Sequence, residues 1–124
     1  MSVQVSGLGA QLRGDVFDTN CPSRAVLDHV TSKWAVLVLA ALQDGPMRFS
    51  ELRRRIGGVS EKMLAQALRT LEGDGFLHRE VAPTTPPQVT YSLTPLGDGI
   101  AERVVGLADW IAERIPEIQE FRTR

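Results

Sequence analysis

The chain has 124 residues and a formal net charge of −1, with 43% hydrophobic and 23% charged residues, which bounds it to one ordinary domain with a modest single core. No apolar run reaches about 18 residues, so no segment reads as a membrane span. A single cysteine, Cys21, excludes an intrachain disulfide and a cysteine zinc site within one chain, and His29 and His78 are far apart with no acidic cluster joining them, so neither metal nor cofactor is expected.

Residues 1–18 contain several glycines and no clean periodicity, so they read as a flexible N-terminal segment, and 19–124 as a single domain. The N-terminus lacks a lysine-led apolar core followed by a cleavage site, and a cytoplasmic location is expected. Pro22 suits the first position of a helix running to about Val30, flanked by Asn20 or Cys21 as cap. Residues 31–43 are apolar on almost every face, as in a helix buried at a domain centre, with Thr31 or Ser32 as cap and Asp44-Gly45-Pro46 as stop. Met47-Arg48-Phe49 reads as a short extended piece. Ser50 is then placed to cap a compact helix in which Leu52 and Ile56 face inward and Arg53, Arg54 and Arg55 face outward.

After a turn at Gly57-Gly58-Val59, residues 59–75 carry an apolar stripe of Val59, Met63, Leu64, Ala67, Leu68 and Leu71 at three- and four-residue steps. Ser60 is its cap, and Gly73 and Gly75 supply its stop. The opposite face shows Glu61, Lys62, Ala65, Gln66, Arg69 and Thr70, a short and mildly basic surface. Helix, short turn and helix make a helix-turn-helix, with this second helix in the position that reads DNA. Residues 76–81 alternate as a strand with Phe76, His78 and Glu80 on one side. A proline-rich loop covers 82–88, and 89–93 alternate again, so the pair forms a β-hairpin wing. Thr94-Pro95 restarts helix as cap and first residue, and Leu96, Ile100, Val104, Leu107, Ile111 and Ile115 form one stripe to about residue 120, with Pro116 bending or ending it. So long a one-sided helix finds its cover in a second copy of the chain or packs back on its own domain. The expected fold is mainly α (α+β): a winged helix-turn-helix with N- and C-terminal dimerisation helices.

The charge is unevenly spread. Residues 48–79 hold seven basic and four acidic side chains, a local +3, while the remainder carries −4. A basic middle between acidic flanks attracts phosphate locally without making the whole chain adhesive; chance clustering on a solvated face gives the same numbers.

Several stretches together resemble the HxlR-type winged-helix transcriptional regulators. They are Cys21-Pro22, Lys33-Trp34, Arg48-Phe49, Lys62-Met63-Leu64, and Pro86-Pro87 followed by Tyr91-Ser92-Leu93-Thr94, in the same order and spacing over about residues 20–115. The resemblance implies a homodimer on double-stranded operator DNA, with recognition helices in successive major grooves and wings alongside. It also implies control by a signal, in many members an oxidant or electrophile acting on the N-terminal cysteine. The chain departs from the family pattern at Ala65, where threonine or serine is usual, at Ala67 and Ala82, at Gln88, where a basic residue commonly follows the two prolines, and at Thr90.

In this geometry the candidate DNA-binding residues are Ser60, Lys62, Gln66, Arg69, Arg48, Arg53, Arg79 and Gln88. Ser60 can donate to a phosphate at the helix N-terminus, Lys62 can reach a guanine edge or a phosphate, and the Gln66 amide suits adenine. Arg69 is a phosphate clamp, Arg48 and Arg53 are further phosphate candidates, and Arg79 opens the wing. Each also reads as plain solvated surface. Cys21 precedes a proline-started helix with Arg24 one turn on, which favours thiolate and makes it a candidate redox sensor; it reads equally as a small buried hydrophobe.

No serine–histidine–carboxylate set, phosphate-binding glycine loop or paired carboxylates occur, and a thiol enzyme on Cys21 would have only His29 as a nearby base, so the chain does not read as an enzyme. Two rivals stand beside a thiol-sensing repressor. One is a ligand-responsive MarR-like regulator with Trp34, Met47, Phe49 and Trp110 lining a pocket. The other is a winged helix that has lost DNA binding and serves as a protein-interaction module.

Overall fold

The computed structural model describes residues 15–124, so most of the segment expected to be flexible over 1–18 lies outside the described residues. The described chain opens with two side-chain-closed turns, in which the Phe17 and Asn20 amides donate to the carboxylates of Asp15 and Asp18, each at 3.0 Å. Helix α1 (Pro22–Thr31) follows, with Cys21 at its N-cap and Pro22 in the first turn, where a missing N–H breaks no helical bond. Ser32 ends α1 in an extended conformation and caps α2 (Lys33–Leu42) by accepting from the Ala35 amide at 3.3 Å. The two helices meet at 73° across it.

Helix α2 is the centre of the domain. Its apolar surroundings on all sides bury Ala35, Val38, Leu39, Ala41 and Leu42, as its uninterrupted apolar sequence requires. Strand β1 (Met47–Arg48) leads into α3 (Phe49–Arg55), which differs from expectation at its start. The N-cap is Arg48, not Ser50: its backbone N–H donates to Glu51 Oε1 at 2.8 Å, so the carboxylate three residues on satisfies the first amide.

Ser60 caps α4 (Glu61–Gly73) as expected, accepting from the Met63 amide at 3.1 Å. Leu64, Leu68 and Leu71 are buried, with Val59 just before the helix. Met63 departs from the expected stripe and is 40% exposed. One residue step turns the helix about 100°, which carries Met63 from the buried row of Leu64 to its flank. The stop is Gly75 rather than Gly73. Gly75 takes φ +84 while its amide bonds Glu72 O and the Phe76 amide bonds Leu71 O, each at 3.0 Å, closing a Schellman turn.

Strands β2 (Leu77–Ala82) and β3 (Gln88–Leu93) form an antiparallel hairpin from Leu77↔Leu93 to Ala82↔Gln88, and β1 adds to the outer side of β3 through Met47↔Tyr91 and Arg48↔Thr90. The sheet order is β1-β3-β2. Both Phe76 and Leu77 are buried, so the hairpin is anchored in the core at its base, while the loop at 83–87 is exposed.

Thr94 joins these pieces. Its hydroxyl donates to Gly75 O at 2.6 Å and accepts from the Gly97 amide at 2.9 Å, and its backbone N–H donates to Phe76 O at 3.1 Å. One residue thus ties the exit of α4, the entry to the wing and the start of α5 (Pro95–Glu113). The bend or end expected at Pro116 is a break: α5 stops before Arg114, and α6 (Ile115–Arg122) begins with Pro116 in its first turn. Along them Leu96, Leu107, Trp110, Ile111, Ile115 and Phe121 are exposed.

Gly97 is buried where α5 meets the start of the wing, and a Cβ there would collide with the Phe76 carbonyl. Gly106, later in the same helix, is exposed with nothing within 4 Å of such a Cβ. Gly97→Ala should therefore destabilise the domain by about 1–3 kcal/mol, whereas Gly106→Ala should stabilise it by roughly 0.5–1 kcal/mol. Chemical denaturation of the two variants checks the opposite signs.

Candidate nucleic-acid interface

The core fixes which side of α4 is free. With Leu64, Leu68 and Leu71 turned inward, the 3.6-residue repeat places Lys62, Gln66 and Arg69 on the outward side within about 60° of arc. All three are exposed, and among the described residues neither Lys62 nor Arg69 forms an ion pair. Glu61, the acidic residue beside Lys62, lies 3.6 Å from Arg53 Nη1. That contact brings Arg53 of α3 to the start of α4 and offsets the one negative charge there. Ser60 spends its hydroxyl oxygen as cap acceptor, and its hydroxyl proton remains available to an anion at the helix start.

The remaining candidates lie on the sheet side. Arg48 sits in β1 opposite Thr90, with its Nε 3.5 Å from Glu51 Oε1. This pair and the Arg53–Glu61 pair are well exposed, so each contributes about 0–1 kcal/mol and leaves the guanidinium able to move to a phosphate. Arg79 is exposed in β2 opposite Tyr91, and Gln88 is exposed at the far end of the hairpin opposite Ala82. The structure thus gathers Ser60, Lys62, Gln66, Arg69 and Arg53 on or beside one helix, and Arg48, Arg79 and Gln88 on the adjoining sheet.

Two features escaped the sequence. Met63 stands at the edge of the outward face of α4, legible only once Leu64, Leu68 and Leu71 define the buried arc. His29 Nδ1 lies 2.7 Å from Asp74 Oδ2, joining the last turn of α1 to the C-cap of α4 across a separation that leaves no local signal.

Cys21 is 7% exposed. Burial pushes its thiol up, but the backbone amide of Arg24, the Ser23 hydroxyl, and the amides of Ser23 and Asp15 outweigh it and hold the thiol below its ordinary value. The favourable partner is the Arg24 amide rather than its guanidinium, which donates to Phe17 O at 3.2 Å. His29 is engaged by Asp74. The four residues considered for a MarR-like pocket are spread out. Trp34 lines a cleft beside α4, Met47 and Phe49 pack against the core, and Trp110 is 53% exposed beneath the Arg114 guanidinium. Among the described residues no group of histidine, cysteine and carboxylate side chains could hold a metal, and no single helix is long and apolar enough to cross a membrane.

A capped helix with an unpaired Lys–Gln–Arg face, a three-stranded wing and a basic preceding helix form a winged helix-turn-helix surface. Residues 29–119 match the family model described as HxlR-like helix-turn-helix. The chain belongs to this family. It is 59% identical over 120 residues to the HTH-type transcriptional regulator YtfH of Escherichia coli (strain K12), covering 96% of this chain and 94% of the relative. The solved structure of the transcriptional regulator YtfH from Salmonella typhimurium superposes with a TM-score of 0.86 at 58% identity, over 90% of this chain and 99% of that one. The redox regulator HypR in its oxidized form is similar at 38% identity and a TM-score of 0.68, over 75% and 96% of the two chains. This HxlR-like protein is accordingly a DNA-binding transcriptional regulator of helix-turn-helix type and not an enzyme.

The Arg48–Glu51 contact gives the HxlR-like domain a pH-dependent element. The Arg48 backbone N–H, helped by the Arg48 charge and more weakly by Arg54, holds the Glu51 carboxyl below its ordinary value of 4.5, against a smaller opposing effect of burial. A carboxyl lowered by folding stabilises the fold fully above its unfolded pKa, and that contribution is lost as pH falls through the folded value. Wild type should therefore be more stable than Glu51→Gln at neutral pH, with the gap closing below about pH 4.5. Denaturation midpoints across pH check this, and a gap independent of pH contradicts it.

Proposed function

We propose that this regulator is a cytoplasmic homodimeric repressor that reads a two-fold operator through α4 and is released by an oxidant or electrophile acting on Cys21. The observation that carries the DNA-reading half is the exposed, unpaired Lys62–Gln66–Arg69 face, held rigid by a capped start and a buried leucine row. In the major groove Lys62 meets a guanine edge, Gln66 pairs its amide with adenine, and Arg69 closes on phosphate. Ser60 and the helix N-terminus hold the phosphate nearest the entry, with Arg48 and Arg53 on the flanking backbone. Arg79 and Gln88 carry the wing, whose neutral tip at Gln88 makes its backbone contact weaker than an arginine or lysine would. Ala65, small and lacking a hydroxyl, leaves room for a thymine methyl on the same face.

Dimerisation is supported by the exposed apolar residues of α5 and α6 and by the groove between α2 and α5 lined by Val36, Leu37, Val104, Leu107 and Ile111. A second copy laid along these helices buries surface that a single domain leaves in water, and sets two recognition helices about one DNA turn apart. Repression then follows from occupying DNA that the transcription machinery needs.

Thiol sensing is supported by the amides that favour the Cys21 thiolate and by the similarity to a redox regulator. With a hydroperoxide the sulfur forms an S–O bond as the O–O bond breaks and the alcohol leaves, giving a sulfenic acid at the head of α1. Polar oxygen there disturbs the packing of α1, and with it α4.

Lys62→Ala should weaken operator binding by about 1–3 kcal/mol for the cognate sequence alone if Lys62 reads a base. If Lys62 holds phosphate, affinity drops uniformly across sequences and the salt slope shrinks by about one. Fluorescence anisotropy on operator and scrambled duplexes separates these, and an unchanged affinity on both sinks the assignment. Diamide in the presence of a small thiol should release wild type from DNA while Cys21→Ser stays bound; equal release of both rules out sensing at Cys21.

A further inference from the structure

Behind the reading face, α4 does not lie flush on the N-terminal helices. Asp28, His29, Ser32, Trp34, Met63 and Gln66, with Thr70, line a half-open cleft of about 220 Å³ between the last turn of α1, the start of α2 and the middle of α4. Pockets for drug-sized ligands span roughly 300–1,000 Å³, so this smaller cleft suits a single ring with a short substituent.

The lining defines the occupant's chemistry. Trp34 and Met63 supply an indole face and a polarizable thioether, the pair best suited to a flat aromatic ring. The Trp34 face already attracts a cation, since Lys33 Nζ lies 4.4 Å from its centroid. Among the described residues Asp28 brings a carboxylate without an ion-pair partner, and neither the Gln66 amide nor the Thr70 hydroxyl is hydrogen-bonded. His29 is held by Asp74, so the charges at and just behind the wall are the carboxylates of Asp28 and Asp74 and, over the Trp34 ring, the Lys33 ammonium, which an incoming cation replaces on the indole face. No lysine or arginine lines the cleft.

We propose that this cleft is an effector site for a small aromatic cation, an amine or amidine on one ring, whose charge pairs with Asp28 and whose ring packs between Trp34 and Met63. Gln66 belongs both to the cleft and to the outward side of α4, so an occupant engages the amide that otherwise meets a base. This coupling rests on the DNA-reading role of Gln66; binding in the cleft does not.

Benzamidine tests both. In a Trp110→Phe background Trp34 is the one remaining tryptophan of the two in the sequence, and its fluorescence should respond saturably to benzamidine but not to benzoate, which carries the opposite charge. Asp28→Asn should weaken benzamidine about tenfold through loss of the charge-assisted hydrogen bonds, and Asp28→Glu should restore most of it. Unsaturable quenching, equal response to benzoate, or full affinity in Asp28→Asn overturns the site. Benzamidine should also lower the operator affinity of wild type while leaving that of Asp28→Asn unchanged. Saturable cleft binding that leaves operator affinity intact overturns the coupling alone. Loss of operator binding without any probe would instead count against the DNA-reading assignment.

Discussion

The burial of Leu64, Leu68 and Leu71 against the central helix α2 is the contact on which the rest depends. Those three leucines are the reason α4 presents Lys62, Gln66 and Arg69 outward, since a helix committed on one side has no choice about the other. Truncating such a residue typically costs about 2–5 kcal/mol, a large share of a small domain's stability. The orientation of these exposed side chains is therefore secured by the same free energy that holds the fold.

Around that contact, polar groups set where elements begin and end. Ser32, Ser60 and Thr94 cap α2, α4 and α5, and Thr94 further ties the turn after α4 to the base of the wing. These bonds join the base of the wing to the end of α4. At the other end of α4, the Asp74–His29 contact fixes the helix to α1, whose first residue follows Cys21. Helix α1 therefore has Cys21 at its head and, in its last turn, the His29 that contacts the C-cap of α4.

Much of this was legible in the sequence because its signals are local. The leucine row, the Ser60 and Thr94 caps and the Pro22 and Pro116 breaks each act within a few residues, and each is found where the local pattern puts it, whereas the strands pair as a hairpin without the in–out alternation expected of them, since Leu77 alone is buried in β2 and no residue of β3 is. The misses share a cause as well. Ser50 looked like a cap by type, but Glu51 reaches back to the Arg48 amide and moves the start of α3 earlier by satisfying that donor first. Met63 counted as apolar and in phase, yet the arc that α2 can cover spans only the leucines. The His29–Asp74 contact and the cleft beside Trp34 depend on how α1 packs across α4, a tertiary relation with no spacing to betray it.

The proposed function requires that two copies of this surface read DNA together. A hydroxyl-radical footprint of the wild-type protein on the region upstream of its own coding sequence measures that. The account predicts two protected patches on one face of the duplex, about 10–10.5 base pairs apart or a multiple of that, flanking a two-fold sequence. Protection without two-fold spacing, or none at salt concentrations where non-specific binding has been lost, would contradict it.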